Sequence, residues 1–271
     1  MCDVLDMPRS TYYQSLNKTI SNREKENKKL TKEITKIYNA SYKRYGAPKI
    51  HRILKGKGYK VSIKRVQRLM KKTGIQSITV KKFRPTPSTV KIVQRENILQ
   101  RDFSTKTANE KWVGDITYIN TLRHGWCYLA SVMDLHTKKI VGYSFSRSMT
   151  TELVIKALEN ACSTQKPSKG LIFHSDLGSQ YTSDDFAELI KKYKMKHSFS
   201  YKGSPYDNAC IESFHAILKK EEVNHVQYYD FYSAKIALFK YIESWYNRKR
   251  IHGSLNYKTP QEVEDSLRNV A

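Results

Sequence analysis

The sequence predicts an α/β fold in which helices flank a mixed five-stranded sheet, with a small all-α module ahead of it. Two patterns predict this arrangement. Apolar residues recur at helical spacing between residues 22 and 72. From residue 111 onward, three short runs rich in Val, Ile, Tyr and Phe are separated by turn residues and then followed by alternating helical and strand-like segments. Hairpin-linked strands followed by such an alternation give a sheet with antiparallel and parallel neighbours.

The first hundred residues carry most of the positive charge. The chain holds 49 Lys+Arg and 25 Asp+Glu residues, a net charge of +24, and residues 1–100 contribute 25 of the basic and 6 of the acidic ones. A field of this sign favours a polyanion such as double-stranded DNA. A generally basic composition without a dedicated partner is the alternative. We therefore expect a DNA-gripping front module joined to a second module of nearly balanced charge.

Helix signals organise the front module. Residues 8–13 begin a short helix, and residues 22–38 form a helix with a narrow apolar face. Two more helices are predicted at residues 48–55 and 63–72, joined by a tight Gly-containing turn, which is typical of a helix-turn-helix. Ser62 offers the N-cap of the second helix.

The second helix of this pair carries basic and polar side chains on the side away from its apolar face. They are Lys64, Arg65, Gln67, Arg68, Lys71 and Lys72. A recognition helix offers such groups to phosphates and base edges. An ordinary helical hairpin with a solvated basic face is the alternative. We predict DNA contacts from Lys64, Arg65, Arg68 and Lys71.

The second module follows a Pro-containing linker. Its five predicted strands are residues 112–119, 126–133, 140–146, 171–175 and 196–200. Its predicted helices are residues 151–162, 183–193, 209–222 and 233–248. Thr151 and Ser183 are the expected caps of the first two helices.

Three acidic residues lie in settings suited to metal ions. Asp115 falls within the first strand, Asp176 closes the fourth strand, and Glu212 begins a helix after a polar loop. Sixty residues separate the first two acids and 35 separate the last two. A carboxylate at the end of an apolar strand needs a cation or a partner, because burying it alone is costly. Singly, such an Asp is more often a turn former or an ion-pair partner.

Hard oxygen ligands select Mg²⁺, with Mn²⁺ as a substitute, and no ligand-spaced Cys/His set suggests zinc. Two Mg²⁺ ions clamped by carboxylates are a known arrangement for in-line phosphoryl transfer. We interpret Asp134 as a turn residue, and His174 and His252 as hydrogen-bonding or DNA-facing groups. Tyr201 and Tyr206 either stack on an unpaired base or pack within their loop. The three tryptophans, Trp112, Trp126 and Trp245, are expected in the core.

These acids stand in motifs that resemble the DDE catalytic domain of insertion-sequence transposases and retroviral integrases. The motifs are Trp112–Tyr118 (WVGDITY), His174–Tyr181 (HSDLGSQY) and Ser204–Phe214 (SPYDNACIESF). The resemblance is closest to the OrfB half of the IS-three family, whose tail signature resembles Tyr246–Leu255 (YNRKRIHGSL). The helix-turn-helix around Tyr45–His51 is similar to the one that precedes this domain in the family. The resemblance covers roughly residues 40–265.

The resemblance implies a ribonuclease-H-like fold and Mg²⁺-dependent DNA strand cleavage followed by strand transfer. It makes Asp115, Asp176 and Glu212 the metal-binding catalytic acids. Lys219 matches a basic position of the family, and we predict that it contacts DNA together with Tyr246 and Arg250. The resemblance further implies an OrfA partner, often joined by frameshift fusion, and a homo-oligomer on paired transposon ends and target DNA.

The predicted domains are a partial helix-turn-helix (1–20), a basic helical DNA-binding module (21–80), a linker (81–108) and an integrase-like catalytic core with a C-terminal helix (109–265). The four cysteines are scattered, no apolar run approaches the ~20 residues of a membrane span, and no signal-peptide pattern begins the chain. A bacterial, cytoplasmic, nucleoid-associated protein is expected. The rival functions are a nuclease on the same fold without joining activity and a DNA-binding regulator of transposition.

Overall fold

The computed structural model describes residues 8–16, 21–78, 96–201 and 206–268. The chain divides into two compact units, Met1–Ile78 and Thr79–Ala271. The predicted linker up to residue 95, most of the partial helix-turn-helix outside residues 8–16, and loop residues 202–205 lie outside the described residues.

The first unit is helical, as its apolar spacing predicts. After α1 (Arg9–Leu16), its helices are α2 (Asn22–Ala40), α3 (Ala47–Gly56) and α4 (Ile63–Lys72). Pro48 lies in the first turn of α3, and the Ser62 side chain accepts a hydrogen bond from the backbone N–H of Arg65 at the start of α4. The three longer helices enclose a small core: Leu30, Ile34, Ile37, Ile50, Leu54, Val66, Leu69 and Met70.

The second unit is built on one mixed sheet. Within the described residues its strands are β1 (Lys111–Thr121), β2 (Gly125–Asp134), β3 (Ile140–Ser146), β4 (Ile172–Ser175) and β5 (Lys196–Phe199). They lie in the order β3-β2-β1-β4-β5. The first three are antiparallel hairpin neighbours, whereas β4 and β5 run parallel to β1. The topology confirms the predicted mixed five-stranded sheet and makes β1 its central strand.

Helices cover both faces of this sheet. On one face, α5 (Thr151–Gln165) and α6 (Asp184–Lys192) bury a core that includes Trp112, Phe173 and Phe186. The opposite face contacts α7 (Ala209–Glu221). Ser183 caps α6 as predicted, whereas Thr150 rather than Thr151 occupies the N-cap position of α5.

The end of the chain differs from the single long helix that the sequence predicts. An α-helix, α8 (Phe231–Phe239), continues as a π-helix over Lys240–Tyr246. A further helix, α9 (Pro260–Arg268), follows beyond the predicted C-terminal helix. The wider turn of the π-helix lets adjacent residues share the buried side, and Tyr241, Ile242, Trp245 and Tyr246 are all buried.

Two other expectations need correction. Trp126 is not a core residue, because 59% of its surface is exposed and its ring packs edge-on against Tyr118 on the outer part of the β1–β2 hairpin. Leu99 falls in the predicted linker but is buried, and its backbone N–H donates to Ser198 Oγ. Among the described residues, no helix combines the length and apolar character that crossing a membrane requires.

Candidate active site

The strand register brings the first two acids side by side. Val113 of β1 pairs with His174 of β4 in the parallel ladder. Asp115 and Asp176 each lie two residues further along in the same direction, so the register brings both to one region of the sheet. Parallel neighbours align in this way because their hydrogen bonds are evenly spaced. The sheet therefore brings together two residues that are separated by sixty others in the sequence.

Asp176 lies where β4 ends. Residue 176 as a whole is solvent-exposed, but its carboxyl group is largely surrounded by protein and accepts a hydrogen bond from Gly178 N–H at 3.0 Å. This local burial, followed by the negative charge of Asp115, raises the pKa of Asp176 to about 6, and Glu212 adds to the effect. Two like charges that each raise a third carboxyl's pKa must lie near it. The electrostatics thus bring together all three predicted acids.

Glu212 and Lys219 are both carried by α7. Glu212 is exposed in the first turn of this helix, and Lys219 is half-buried two turns later. Burial lowers the pKa of Lys219, while the charge of Asp115 opposes that shift. Lys219 therefore lies within electrostatic reach of Asp115, on the side of α7 that meets the sheet.

A buried aspartate ties together the ends of the loop before α7. Asp207 accepts hydrogen bonds from Tyr201 N–H at 2.9 Å, Asn97 Nδ2 at 3.1 Å and Arg101 Nε at 2.6 Å. Burial alone would raise its pKa, but these bonds and the Arg101 charge bring the pKa below its usual value. Tyr201 and Tyr206, which flank the undescribed loop residues, are both exposed. Their exposure is compatible with either of the two predicted roles.

The backbone of β1 is held closely on both sides at Gly114. A Cβ atom there would lie 2.5 Å from Cζ of Phe173 on β4, so only glycine fits. On the other side, Asn208 Nδ2 donates to the Gly114 carbonyl oxygen at 3.1 Å. The residue before Asp115 is thereby fixed between β4 and the start of α7.

His215 contacts the site and was missed by the sequence reasoning. Its Nδ1 lies 3.2 Å from Asp115 Oδ2, and its Nε2 lies 3.4 Å from Ser131 Oγ on β2. Residue 215 is three positions after Glu212, which places both on one side of a helix. That spacing was the available signal, but a histidine on a partly apolar helix gives no indication of its partner.

The donor set suits a hard divalent cation. Three crowded carboxylates, one with its pKa raised by its neighbours, are relieved of repulsion when a cation is present. Among the described residues, no group of three His, Cys, Asp or Glu side chains already stands in a geometry that would hold a metal ion. The carboxylate oxygens of these residues fit the chemistry of Mg²⁺.

The tail residues Tyr246 and Arg250 are not available to DNA in this structure. Tyr246 is 2% exposed and Arg250 8% exposed. The Arg250 guanidinium donates to both carboxylate oxygens of Glu221, the last residue of α7, at 3.0–3.2 Å. Tyr241 Oη and Trp245 Nε1 donate to the same carboxylate at 2.9 and 3.1 Å. Side chains of the tail therefore hold the end of α7 through the buried Glu221 carboxylate. This corrects the predicted DNA contacts of Tyr246 and Arg250.

The other polar residues singled out in the sequence have structural partners. Asp134 accepts from Thr137 N–H and Oγ1 and from Asn109 N–H, so its interpretation as a turn residue is confirmed. His174 is buried between the hydroxyls of Ser198 and Ser200, and burial lowers its pKa to about 4. His252 packs its ring against Tyr246.

In the first unit, the α4 side chains divide into two groups. Lys64, Arg68 and Lys71 are exposed. Arg65 is instead turned toward α2, where it donates to Glu26 Oε2 at 2.8 Å and to Asn27 Oδ1 at 2.8–2.9 Å. Arg65 thus helps to hold the two helices together, whereas the other three cations stay open to a partner.

Comparisons with known proteins agree with this architecture. Residues 105–205 and 193–260 match two models described as integrase core domain, and residues 24–83 match an HTH-like domain. The catalytic core domain of HTLV-2 integrase, solved in complex with magnesium, aligns with a TM-score of 0.44 and 19% identity over 57% of this chain and 95% of that one. Because this TM-score is below 0.5, the assignment rests on the sequence matches.

Similar sequences extend over nearly the whole chain. A transposase for insertion sequence element IS904 of Lactococcus lactis is 36% identical, covering 90% of this chain and 96% of its own. Transposase InsF for insertion sequence IS3A of Escherichia coli K12 is 34% identical, covering 98% and 93%. The insertion element IS600 31 kDa protein of Shigella sonnei is 35% identical over the full length of both chains. The chain therefore belongs to the IS-three family of insertion-sequence transposases, polynucleotidyl transferases that act on DNA through an integrase core domain.

Proposed function

We propose that the chain performs Mg²⁺-dependent DNA strand cleavage and strand transfer with Asp115, Asp176 and Glu212 as the metal-binding acids. The single observation that carries this proposal is the β1–β4 register, which brings Asp115 and Asp176 to one region of the sheet, where the charges of Asp115 and of Glu212 on α7 both raise the pKa of Asp176. Bound divalent cations supply an activated oxygen nucleophile and neutralise charge at the reacting phosphate. Two ions are proposed because in-line transfer needs both oxygens stabilised, and Mn²⁺ is the expected substitute.

The protein's own groups perform the positioning. Asp115 and Asp176 offer oxygen ligands from two adjacent strands, and Glu212 closes the set from α7. Lys219, half-buried on α7 and within electrostatic reach of Asp115, would hold a DNA phosphate next to the reacting one. Lys64, Arg68 and Lys71 on α4 provide exposed cations for the duplex backbone.

An OrfA partner and a homo-oligomer on paired transposon ends remain part of this proposal. They are supported by the family resemblance and by an apolar stripe on α8 that α8's own unit leaves uncovered. Tyr232, Ile236 and Phe239 of this stripe are each more than half exposed. Large exposed apolar patches are typical of protein-contact sites. We expect the assembly to act on nucleoid DNA.

The decisive experiment compares Asp176→Asn with Asp185→Asn, an exposed carboxylate in the first turn of α6. Both variants lose one negative charge from the same unit. We expect Asp176→Asn to abolish cleavage and strand transfer of an end-labelled transposon-end duplex while retaining DNA affinity, and Asp185→Asn to retain both reactions.

Two rivals predict other outcomes. A nuclease without joining activity would cleave the duplex but give no product joined through a labelled 3′-hydroxyl. A DNA-binding regulator would bind and function unchanged with Asn at position 176. Either outcome would contradict the proposed strand transfer.

A further inference from the structure

The side chain of His215 spans two strands of the sheet beside Asp115. It is 5% exposed and lies on α7, one turn after Glu212. Its two ring nitrogens contact Asp115 Oδ2 at 3.2 Å and Ser131 Oγ at 3.4 Å. Asp115 and Ser131 are direct partners in the β1–β2 ladder. The imidazole therefore bridges a cross-strand pair on the face of the sheet that α7 covers.

The chemistry of the two partners assigns the hydrogen-bond directions. A carboxylate can only accept, so Nδ1–H must donate to Asp115, whereas the serine hydroxyl can donate to Nε2. One neutral tautomer satisfies both contacts, an assignment made from donors and acceptors rather than from observed hydrogens. With Oδ2 held by the imidazole, rotation of the Asp115 carboxylate is restricted.

Asn208 provides a second connection between the same two elements. Its Nδ2 donates to the carbonyl oxygen of Gly114, the residue before Asp115. Asn208 and His215 are seven residues apart, about two helical turns, so they reach β1 from the same side of α7 with Glu212 between them. Among the described residues, the buried Asn208 Oδ1 has no hydrogen-bond partner.

We propose that His215 is a positioning residue that orients the Asp115 carboxylate for the divalent cation, with Asn208 seating the start of α7 on β1. This inference rests on the proposed function, because it assumes that Asp115 is a metal ligand. Hydrogen bonds to the ligating carboxylate act on the metal through that ligand, and their loss typically weakens metal binding 10–100-fold.

Two substitutions at residue 215 separate the contacts. In His215→Asn the amide nitrogen occupies nearly the place of Nδ1 and keeps the donor to Asp115. In His215→Gln the amide reaches toward Ser131 and the Asp115 contact is lost. His215→Leu removes both contacts. Phe214→Leu is the control for packing, since the buried Phe214 ring contacts both the Tyr246 ring and the His215 ring but, having no polar side-chain atom, cannot bond to Asp115 or Ser131.

The measurement is Mn²⁺ binding to the full-length, DNA-free protein, followed by electron paramagnetic resonance of the free ion. We expect His215→Asn and Phe214→Leu to bind Mn²⁺ as the wild type does. His215→Gln and His215→Leu should bind about tenfold more weakly or worse. The Mg²⁺ concentration for half-maximal cleavage should rise in parallel.

Equal losses in the Asn and Gln variants would overturn the inference, because they would show that ring packing and not the Nδ1 contact matters. Unchanged binding in the Gln and Leu variants would overturn it as well. Asp115→Asn is measured alongside. If Asp115→Asn also leaves Mn²⁺ binding unchanged, the proposed metal site itself is wrong, whereas a loss confined to Asp115→Asn contradicts the role of His215 alone.

Discussion

Replacing Arg250 by methionine tests whether the family's tail signature acts inside the protein or on DNA. In the wild type, the guanidinium makes three hydrogen bonds to the Glu221 carboxylate, which is 4% exposed. Methionine fills much of the same volume but removes the guanidinium charge from the buried Glu221 carboxylate, which still accepts from Tyr241 and Trp245. Breaking a buried ion pair on one side costs about 3–5 kcal/mol. For a unit of 150–250 residues, that loss corresponds to a Tm lowered by roughly 6–20 °C.

The assay pairs thermal unfolding with DNA affinity measured well below the transition. We expect Arg250→Met to lower Tm by that amount and to leave the affinity of the folded protein unchanged. Arg248→Met, an exposed neighbour with the same charge change, should alter stability by less than about 0.5 kcal/mol. Adding Glu221→Gln to Arg250→Met should recover much of the loss, because no unpaired charge then stays buried. If Arg250→Met had the Tm of the wild type but bound DNA more weakly, the proposed internal role of Arg250 would be refuted.

Three further predictions concern other parts of the chain. The double variant Lys64→Ala, Arg68→Ala should weaken DNA binding and make the slope of log affinity against log salt concentration shallower by roughly 2, at ~0.9 per phosphate contact. An unchanged slope would show that the DNA duplex does not contact these two side chains. Gly142→Ala should lower the free energy of unfolding by about 1–3 kcal/mol, because the added Cβ would lie 2.3 Å from a backbone oxygen of α5. The control Gly253→Ala, whose Cβ would meet no atom within 4 Å, should leave it unchanged. Urea unfolding of both variants measures the difference. His174, with a pKa of about 4 against about 6.5 when unfolded, binds its proton more readily in the unfolded chain. The contribution of His174 to stability should therefore rise between pH 4 and 6.5, by up to about 3 kcal/mol at ~1.4 kcal/mol per unit. The raised pKa of Asp176 acts in the opposite direction over the same range, so the contribution is measured as the difference between the wild type and His174→Gln in urea titrations.

The five-stranded sheet was predictable because its sequence signals are local. β3 has the predicted limits, and β1, β2, β4 and β5 differ from prediction by one or two residues at an end. Asp115 and Asp176 could be placed together because Asp115 lies in β1 and Asp176 directly follows β4, and the neighbours of these strands follow from the hairpin and crossover pattern. The α4 limits, Ile63–Lys72, were also readable, since Ser62 and Gly74 mark its two ends.

The tail was not predictable, because its structure depends on a distant partner. Apolar positions from Ala234 to Trp245 fit one continuous α-helical period, yet Lys240–Tyr246 is a π-helix. No local sequence pattern predicts that Glu221, 29 residues before Arg250, accepts hydrogen bonds from three side chains of this segment, those of Tyr241, Trp245 and Arg250. A basic run such as residues 248–250 is, by composition alone, equally compatible with DNA contact. Trp126 was misplaced for a similar reason, since hydrophobicity does not reveal that a hairpin extends beyond its covering helix.

The helix that carries Glu212, the proposed third catalytic acid, is held near both of its ends, and this links the tail to the proposed chemistry. Asn208 and His215 hold the start of α7 against β1, while Glu221 anchors its end in the tail. Nine residues, about 13 Å at 1.5 Å per residue, separate the anchor from Glu212. A tilt of about 5° at the anchor would therefore move Glu212 by roughly 1 Å, a displacement that can cost about 100-fold in rate. We expect Arg250→Met to lose strand transfer at temperatures where it is folded and still binds DNA, because the buried Arg250–Glu221 pair would no longer fix the end of the helix that carries Glu212.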